Sequence, residues 1–353
     1  MYTNNDILQG YENTKYIHYA TAELPNTVPY DELGNRKISG VLKANRYENG
    51  RLMQTYTEQE NHVAVIAATR QGKSTSYVVP TVLSFAMQQV KRSMLITDPK
   101  GEIYRYTAET LRQQGYDVKL LNFRDFTKSE CWNPLTGIYR KYMQAKNIAD
   151  EVKLVRVDGV NKNEFRGRIY DDQTELDYDL ETTQTLMFDS VEAEIDNMAR
   201  MLIDTVCTRD PTWEDGARDF LKGFIFAMLE DTELKVNPIT EDTFSLSTIF
   251  SIADKFKNTD SGYDDCGYFS NRSKDSKSYG LVKNIILDTA NATRSSYMSV
   301  FVTKLTEYKE ITTRTITSCN SFDLEGLADG GPVAIFIDFR DEIKSPVSDY
   351  THL

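Results

Sequence analysis

The chain has 353 residues, of which 40% are hydrophobic and 27% are charged, a composition typical of a globular protein of about two domains. With 41 Lys and Arg against 53 Asp and Glu, its formal net charge is −12, which excludes a surface coated with basic residues for bulk nucleic-acid binding and leaves only a local basic groove open. Four cysteines without a CxxC pair argue against a zinc ribbon or a disulfide framework, and no stretch has the roughly 18 apolar residues of a membrane helix.

The first strong elements are a strand and a helix joined by a polar loop. Residues 1–60 predict short strands and loops, with a turn at Asn49–Gly50. Val63–Ile66 is a short apolar run, which predicts a strand buried on both faces. Ser74–Val90 follows at helical spacing, and we expect Pro80 to kink this helix because proline lacks an N–H donor.

The next stretch repeats the alternation of strand and helix. Ser93–Thr97 predicts another buried strand, closed by the polar segment Asp98–Glu102. A helix over residues 103–114 should end at Gly115, and Val118–Asn122 predicts a third strand. Strands alternating with helices in this rhythm indicate right-handed βαβ units, so we expect a mostly parallel sheet in an α/β fold.

The chain then changes character. Residues 151–185 predict a hairpin insertion with its turn at Asp158–Gly159, and the acidic segment 171–181 is interpreted as a solvated face. Residues 186–230 and 280–310 predict helices, separated by a polar loop of low order at 258–279, so we expect a helical insertion into the α/β sheet. A stripe of apolar residues inside this insertion is interpreted as core, namely Phe220, Leu221, Phe224, Ile225 and Met228.

The polar loop after the first strand carries a phosphate-binding pattern. Residues 67–74 match GxxxxGK[ST], except that Ala67 replaces the first glycine. Gly72 allows the backbone to pass close to phosphates, Lys73 can reach the β- and γ-oxygens, and the Ser74 hydroxyl can bind Mg²⁺. The pattern therefore predicts ATP and Mg²⁺ as ligands, with Lys73 as the catalytic side chain.

Hydrolysis also needs an acid at the end of a buried strand. Asp98 ends one apolar run, and Asp338 ends the run Val333–Ile337, with Asp341 and Glu342 close by in sequence. Each has a structural alternative, because acids often end strands in α/β sheets simply by reaching solvent.

Four segments in order resemble one known family. They are Asn61–Ser74, Thr97–Glu102, Gly115–Asn122 and Cys131–Leu135. This set is similar to the type IV secretion coupling proteins, the TraG/TraD-like ATPases of conjugative DNA transfer, and weaker similarity extends the resemblance over residues 60–345. The resemblance implies a RecA-like P-loop NTPase with an all-α insertion, assembled as a homo-hexamer on the cytoplasmic face of the cell membrane. It also implies partners: relaxase-bound single-stranded DNA, relaxosome or effector proteins, and components of the secretion channel.

The resemblance assigns residues and domains as well. The nucleotide loop is implied at Thr69, Arg70, Gln71, Gly72, Lys73, Ser74 and Thr75. Asp98, Lys100 and Glu102 fall on the family's second motif, whose role the residues alone do not define. The implied divisions are a lead-in at 1–60, a nucleotide-binding domain at 61–150, the hairpin insertion at 151–185, the all-α insertion at 186–320, and the return of the nucleotide-binding domain at 321–353.

Two departures from the family lead us to expect a fragment. Family members usually begin with transmembrane helices, and this sequence contains none. In the family, a further strand beyond the one that resembles Val333–Ile337 bears the Walker B acids, and this chain stops at Leu353.

Three functional hypotheses stay open at this point. The leading one is an ATP-driven translocase subunit, and the alternative is a nucleotide-dependent adaptor that recruits substrates without turnover in this chain. A P-loop kinase or GTPase is disfavoured because no NKxD-like motif is present. Arg294, Arg314 and Arg340 are equivalent candidates for an arginine finger.

Overall fold

The computed structural model describes residues 42–48, 51–56, 65–66, 68, 72–86, 91–204, 212–259, 262–286, 291–324 and 330–339. The chain divides into a sheet unit, residues 1–130 and 322–344, and a helical unit, residues 131–321 and 345–353. The finer domain limits predicted from the sequence stay predictions. None of the described helices combines the length and apolar character that crossing a bilayer requires.

Both units contain strands and helices. The strands are β1 (Leu42–Glu48), β2 (Arg51–Tyr56), β3 (Met94–Thr97), β4 (Asp117–Asn122), β5 (Lys153–Val157), β6 (Val160–Phe165), β7 (Arg168–Tyr170), β8 (Lys257–Thr259), β9 (Gly262–Asp264) and β10 (Val333–Asp338). The helices are α1 (Val79–Ala86), α2 (Glu102–Gln113), α3 (Thr136–Lys146), α4 (Gln173–Leu202), α5 (Thr212–Glu230), α6 (Leu246–Ala253), α7 (Lys277–Ile286), α8 (Asn291–Lys304) and α9 (Ile311–Ile316).

The sheet unit is built on a parallel sheet in the order β3–β10–β4. The register of the sheet places Phe336 on β10 between Ile96 on β3 and Leu120 on β4. All six residues of β10 are buried, as expected for a central strand covered on both faces. The parallel sheet and this apolar strand were both predicted from the sequence, and both predictions are confirmed.

One face of the sheet packs against helices α1 and α2. The shared core contains Ile96, Phe336, Leu83 and Leu111, and the ring of Tyr104 packs edge-on against Phe336 with centroids 5.2 Å apart. Burial on both faces was also expected for β3, but Leu95 on the other face is 52% exposed. That expectation is wrong for β3, since Leu95 and Thr97 on its second face are both exposed.

Local turn chemistry fixes both ends of α2. Gly101 precedes the helix with φ 64°, and Gly115 follows it with φ 84°. The amide of Tyr116 donates to the carbonyl of Leu111 at 3.0 Å, which closes the helix with a Schellman-type bond. The predicted end of the helix at Gly115 is therefore confirmed. Glycine suits this position because the left-handed backbone conformation costs it little free energy.

The helix after the polar loop begins with a π-helical segment, Ser74–Val78, that leads into α1. The amide of Val79 donates to the carbonyl of Ser74. Pro80 has no N–H to continue the usual ladder, so the predicted irregularity takes the form of this wider turn. The strand predicted at Val63–Ile66 is only partly described: residues 63–64 lie outside the described residues, and Ile66 is in no strand and is 96% exposed.

One hairpin precedes the parallel strands in the sequence, and a second lies between β4 and β10. Strands β1 and β2 pair with Glu48 opposite Arg51, as the turn signal at residues 49–50 predicts, although those two residues lie outside the described ones. Strands β5, β6 and β7 form an antiparallel meander. Its first turn, Asp158–Gly159, has φ values of 51° and 84°, which is type I′ geometry and confirms the predicted hairpin.

The helical unit is organised around α5. Every residue of the predicted apolar stripe on this helix is at most 2% exposed, which confirms its interpretation as core. The prediction of a polar loop of low order at 258–279 is wrong. Phe269 is fully buried, Asp265 accepts hydrogen bonds from the amides of Phe269 and Ser270, and Arg272 pairs with Asp231 at 2.7 Å.

The sequence-based interpretation failed there because polar side chains can be satisfied inside a fold. The acidic segment 171–181 is mostly exposed, as predicted, and lies largely in α4. Two of its acidic side chains form ion pairs: Glu175 and Asp179 both pair with Arg168 of the meander, at 2.9 and 2.6 Å.

Replacing Gly223 with alanine should destabilise the helical unit. A Cβ at this position of α5 would collide with Cγ1 of Val282 on α7, so the two helices would have to separate. We expect a loss of about 1–3 kcal/mol of unfolding free energy. Urea denaturation followed by circular dichroism measures it.

Gly280→Ala is the matched control on the facing helix. Gly280 is exposed, and a methyl group added there would have no atom within 4 Å. Alanine at this position should be neutral or add up to about 1 kcal/mol through helix propensity. Equal effects of the two substitutions would contradict the close packing of α5 against α7.

Candidate functional site at the carboxyl ends of the sheet

Polar residues follow each of the three parallel strands. Asp98 comes directly after β3, Asp338 ends β10 and Asn122 ends β4, and all three are buried. Because the strands are parallel, their carboxyl ends meet at one edge of the sheet. This is the edge at which open α/β sheets bind ligands.

Asp98 is held by the backbone around it. Its amide donates to the carbonyl of Ile337 at 2.8 Å, and its carboxylate Oδ2 accepts from the amide of Tyr104, also at 2.8 Å. The side chain therefore caps the first turn of α2. It is 2% exposed, so this contact favours the structural role that the sequence left open.

Asp338 is engaged by an arginine that the sequence reasoning missed. Arg124 donates from Nε to Oδ1 of Asp338 at 2.7 Å. Its Nη2 donates to the carbonyl of Phe339 at 3.0 Å and also to the carbonyl of Pro99. One guanidinium thus joins the segments that follow β3, β4 and β10.

Asn122 positions that arginine. Its Oδ1 accepts from the amides of Arg124 and Asp125, each at 3.0 Å, which turns the chain sharply after β4. The sequence signal was an Asn-x-Arg group that begins at the last residue of a predicted strand. That signal is weak, because the partner Asp338 is distant in sequence.

The other two residues of the second motif lie beside this cluster. Lys100 is exposed, and Glu102 lies in the first turn of α2, where its charge suits the helix dipole. Gly101 between them is constrained, since a Cβ would lie 3.0 Å from Oδ2 of Asp338. The structure thus brings Asp98, Asp338 and the 98–102 segment together at one edge.

The phosphate-loop pattern is described in part. Gly72 has φ 77°, a conformation that favours glycine. Lys73 is exposed, and its Nζ donates to the carbonyl of Ala68 at 3.5 Å; the Thr75 hydroxyl donates to the carbonyl of Gly72 at 3.3 Å. Ser74 begins the π-helical segment. Ala67, Thr69, Arg70 and Gln71 lie outside the described residues.

The remaining candidates are placed as follows. Arg294 lies on α8 and Arg314 on α9, both in the helical unit, while Arg340, Asp341 and Glu342 lie outside the described residues. In the described ranges, no group of three or more His, Cys, Asp and Glu side chains is suited to hold a metal ion.

Fold and site define a mixed α/β protein with a parallel sheet and a glycine-containing loop ahead of a helix. A family model described as type IV secretory system conjugative DNA transfer matches residues 25–345. The chain belongs to that family.

Individual relatives match over shorter stretches. A conjugal transfer protein TraG from Escherichia coli is 43% identical over 79 residues, which cover 22% of this chain and 12% of the relative. A protein VirD4 from Rhizobium radiobacter is 33% identical over 97 residues, covering 26% of this chain and 13% of the relative. The matched stretches thus span about an eighth of the length of each relative.

Removing the Arg124 side chain should loosen the carboxyl edge of the sheet. Arg124→Ala leaves the buried Asp338 carboxylate without its described cation, and we expect a loss of about 1–2 kcal/mol of unfolding free energy. The estimate is modest because the Arg124 side chain is 39% exposed. Thermal and urea unfolding of the variant measure it.

Lys128→Ala is the control, because Lys128 also pairs with an aspartate nearby but is 74% exposed. This variant should change stability by less than about 0.5 kcal/mol. In addition, Arg124→Ala should cost less when Asp338→Asn is already present. Strict additivity of the two substitutions would contradict the assigned pair.

Proposed function

We propose that this chain is the nucleotide-binding part of a coupling protein that uses ATP to drive substrates into a type IV secretion channel. The proposal assigns a RecA-like P-loop arrangement to the sheet unit, with ATP and Mg²⁺ bound at residues 69–75. It rests on family membership and on the backbone conformation at Gly72 and the start of the helical segment at Ser74.

The observation that carries the proposal is a glycine with positive φ placed just before a helical segment. Gly72 has φ 77°, Lys73 follows it, and the helical segment starts at Ser74. The N–H groups at the start of such a segment can bind phosphate oxygens. Lys73 would neutralise the β- and γ-phosphates, and the Ser74 hydroxyl would bind Mg²⁺.

The substrates and the assembly are proposed from the family. The cargo would be relaxase-bound single-stranded DNA or effector proteins, handed to channel components by a homo-hexamer at the cytoplasmic face of the membrane. An acidic protein can still bind a single strand in a ring if a few Lys and Arg side chains line the pore. The relatives named for conjugal transfer support the DNA-transfer context.

The proposal does not use Asp338 as the acid that polarises the attacking water. Asp338 ends the central strand, but its side chain is only 12% exposed and is bonded to Arg124. That contact favours a structural role for Asp338. It also supports the second candidate function, a nucleotide-dependent adaptor whose described residues recruit substrates without turnover.

Lys73→Ala should abolish measurable ATP binding while the fold stays intact. The side chain is exposed, so its removal leaves no cavity, but the phosphates lose the cation placed on them by the loop. Isothermal titration with Mg-ATP compares the two proteins, and thermal unfolding shows whether each is folded.

Lys128→Ala again serves as the control, because it removes one exposed lysine from the same unit. Its affinity for ATP should equal that of the wild type. If Lys73→Ala bound ATP as tightly as Lys128→Ala in equally stable proteins, the nucleotide site would lie elsewhere.

A further inference from the structure

Strand β5 lies at the outer edge of the meander β5–β6–β7. Within the described ranges, it pairs only with β6. Edge strands expose unpaired backbone groups, and natural proteins usually cover or blunt them. Here the edge carries Leu154, which is 70% exposed.

The turn fixes which backbone groups face outward. Asp158–Gly159 is a two-residue type I′ turn, so Val157 and Val160 form the hydrogen-bonded pair that closes the hairpin. Pairs alternate along an antiparallel ladder, which directs the backbone groups of Val155 toward β6. The N–H and C=O groups of Leu154 and Arg156 therefore point to the open edge.

The charges on this edge are mostly basic. Lys153 and Arg156 on β5 are exposed, and neither forms an ion pair with another residue that the structure describes, although Glu164 lies opposite Lys153 in the ladder. The other basic residues of the meander are neutralised: Lys162 by Asp171, Arg166 by Glu151, and Arg168 by Glu175 and Asp179. In a chain of net charge −12, the open edge is thus a local basic and apolar strip.

We propose that β5 is a docking edge for an extended, acidic and apolar segment of a partner protein, which adds to the meander as a fourth strand. Backbone groups of Leu154 and Arg156 would supply the ladder bonds. Acidic side chains opposite Arg156 and Lys153, and apolar ones opposite Val155 and Leu154, would complement the edge.

Two labelled nonapeptides test the proposal in fluorescence anisotropy with the full chain. One has the central sequence Val-Glu-Val-Val-Glu, which matches an antiparallel strand opposite residues 157 to 153, and the other has lysine in place of both glutamates. We expect the acidic peptide to bind at least about tenfold more tightly. Equal affinities for the two peptides would overturn the proposal.

Substitutions at Leu154 separate strand addition from simple contact. Leu154→Ala removes the exposed side chain but keeps the edge N–H, whereas Leu154→Pro also removes the N–H without breaking a bond to β6. Leu154→Pro should bind the acidic peptide about tenfold more weakly than Leu154→Ala. Equal binding by these two variants, with unchanged thermal unfolding, would exclude a strand-addition mode.

Two further measurements fix the kind of partner. Arg156→Glu should reverse the preference between the two peptides, and an unchanged preference would contradict the role of charge.

A second copy of the chain is the other occupant to consider. If sedimentation velocity showed self-association that Leu154→Pro abolished, the edge would be a homotypic interface and the acidic-partner proposal would be wrong. None of these results depends on the nucleotide site.

Discussion

Strand β10 arrives from the far end of the chain to fill the space between β3 and β4, and the sheet unit depends on this pairing. Without it, β3 and β4 have no hydrogen-bonding neighbour in the described sheet, and the apolar faces of α1 and α2 lose Phe336 from their shared core. Closing so long a loop costs conformational entropy, which the six buried residues of β10 help to offset. In the sequence, most of the helical unit lies between the two segments that form the sheet unit.

The same pairing creates the candidate site. Parallel strands place Asp98, Asp338 and Asn122 at one edge, and the guanidinium of Arg124 joins the segments that follow them. The aspartates therefore hold the edge together, Asp98 by capping α2 and Asp338 by pairing with Arg124. This leaves the proposed phosphate chemistry to Lys73 and Ser74, which follow Gly72, whose positive φ suits a phosphate-binding turn.

Features set by local chemistry could be predicted from the sequence. Gly115 stops α2, Asp158–Gly159 turns a hairpin, and the run Val333–Ile337 becomes a buried central strand, each because of a few adjacent residues. Features that depend on distant partners could not. Nothing next to Arg124 shows that it meets Asp338, and the polar composition of 258–279 hides the buried contacts of Asp265 and Arg272. The open edge of β5 was missed for a related reason, since the sequence predicted the hairpin but not which of its residues stay uncovered.

Native-state hydrogen exchange, resolved by mass spectrometry, tests the central claim that β10 closes the sheet. If it does, the amides of β10 should exchange together with those of β3 and β4, and only through an opening that unfolds the whole sheet unit. Phe336 lies at the centre of this strand and should be among the last positions of the unit to exchange. Rapid exchange in β10 while β3 and β4 stay protected would contradict the account, because the sheet would then be closed by something other than this strand.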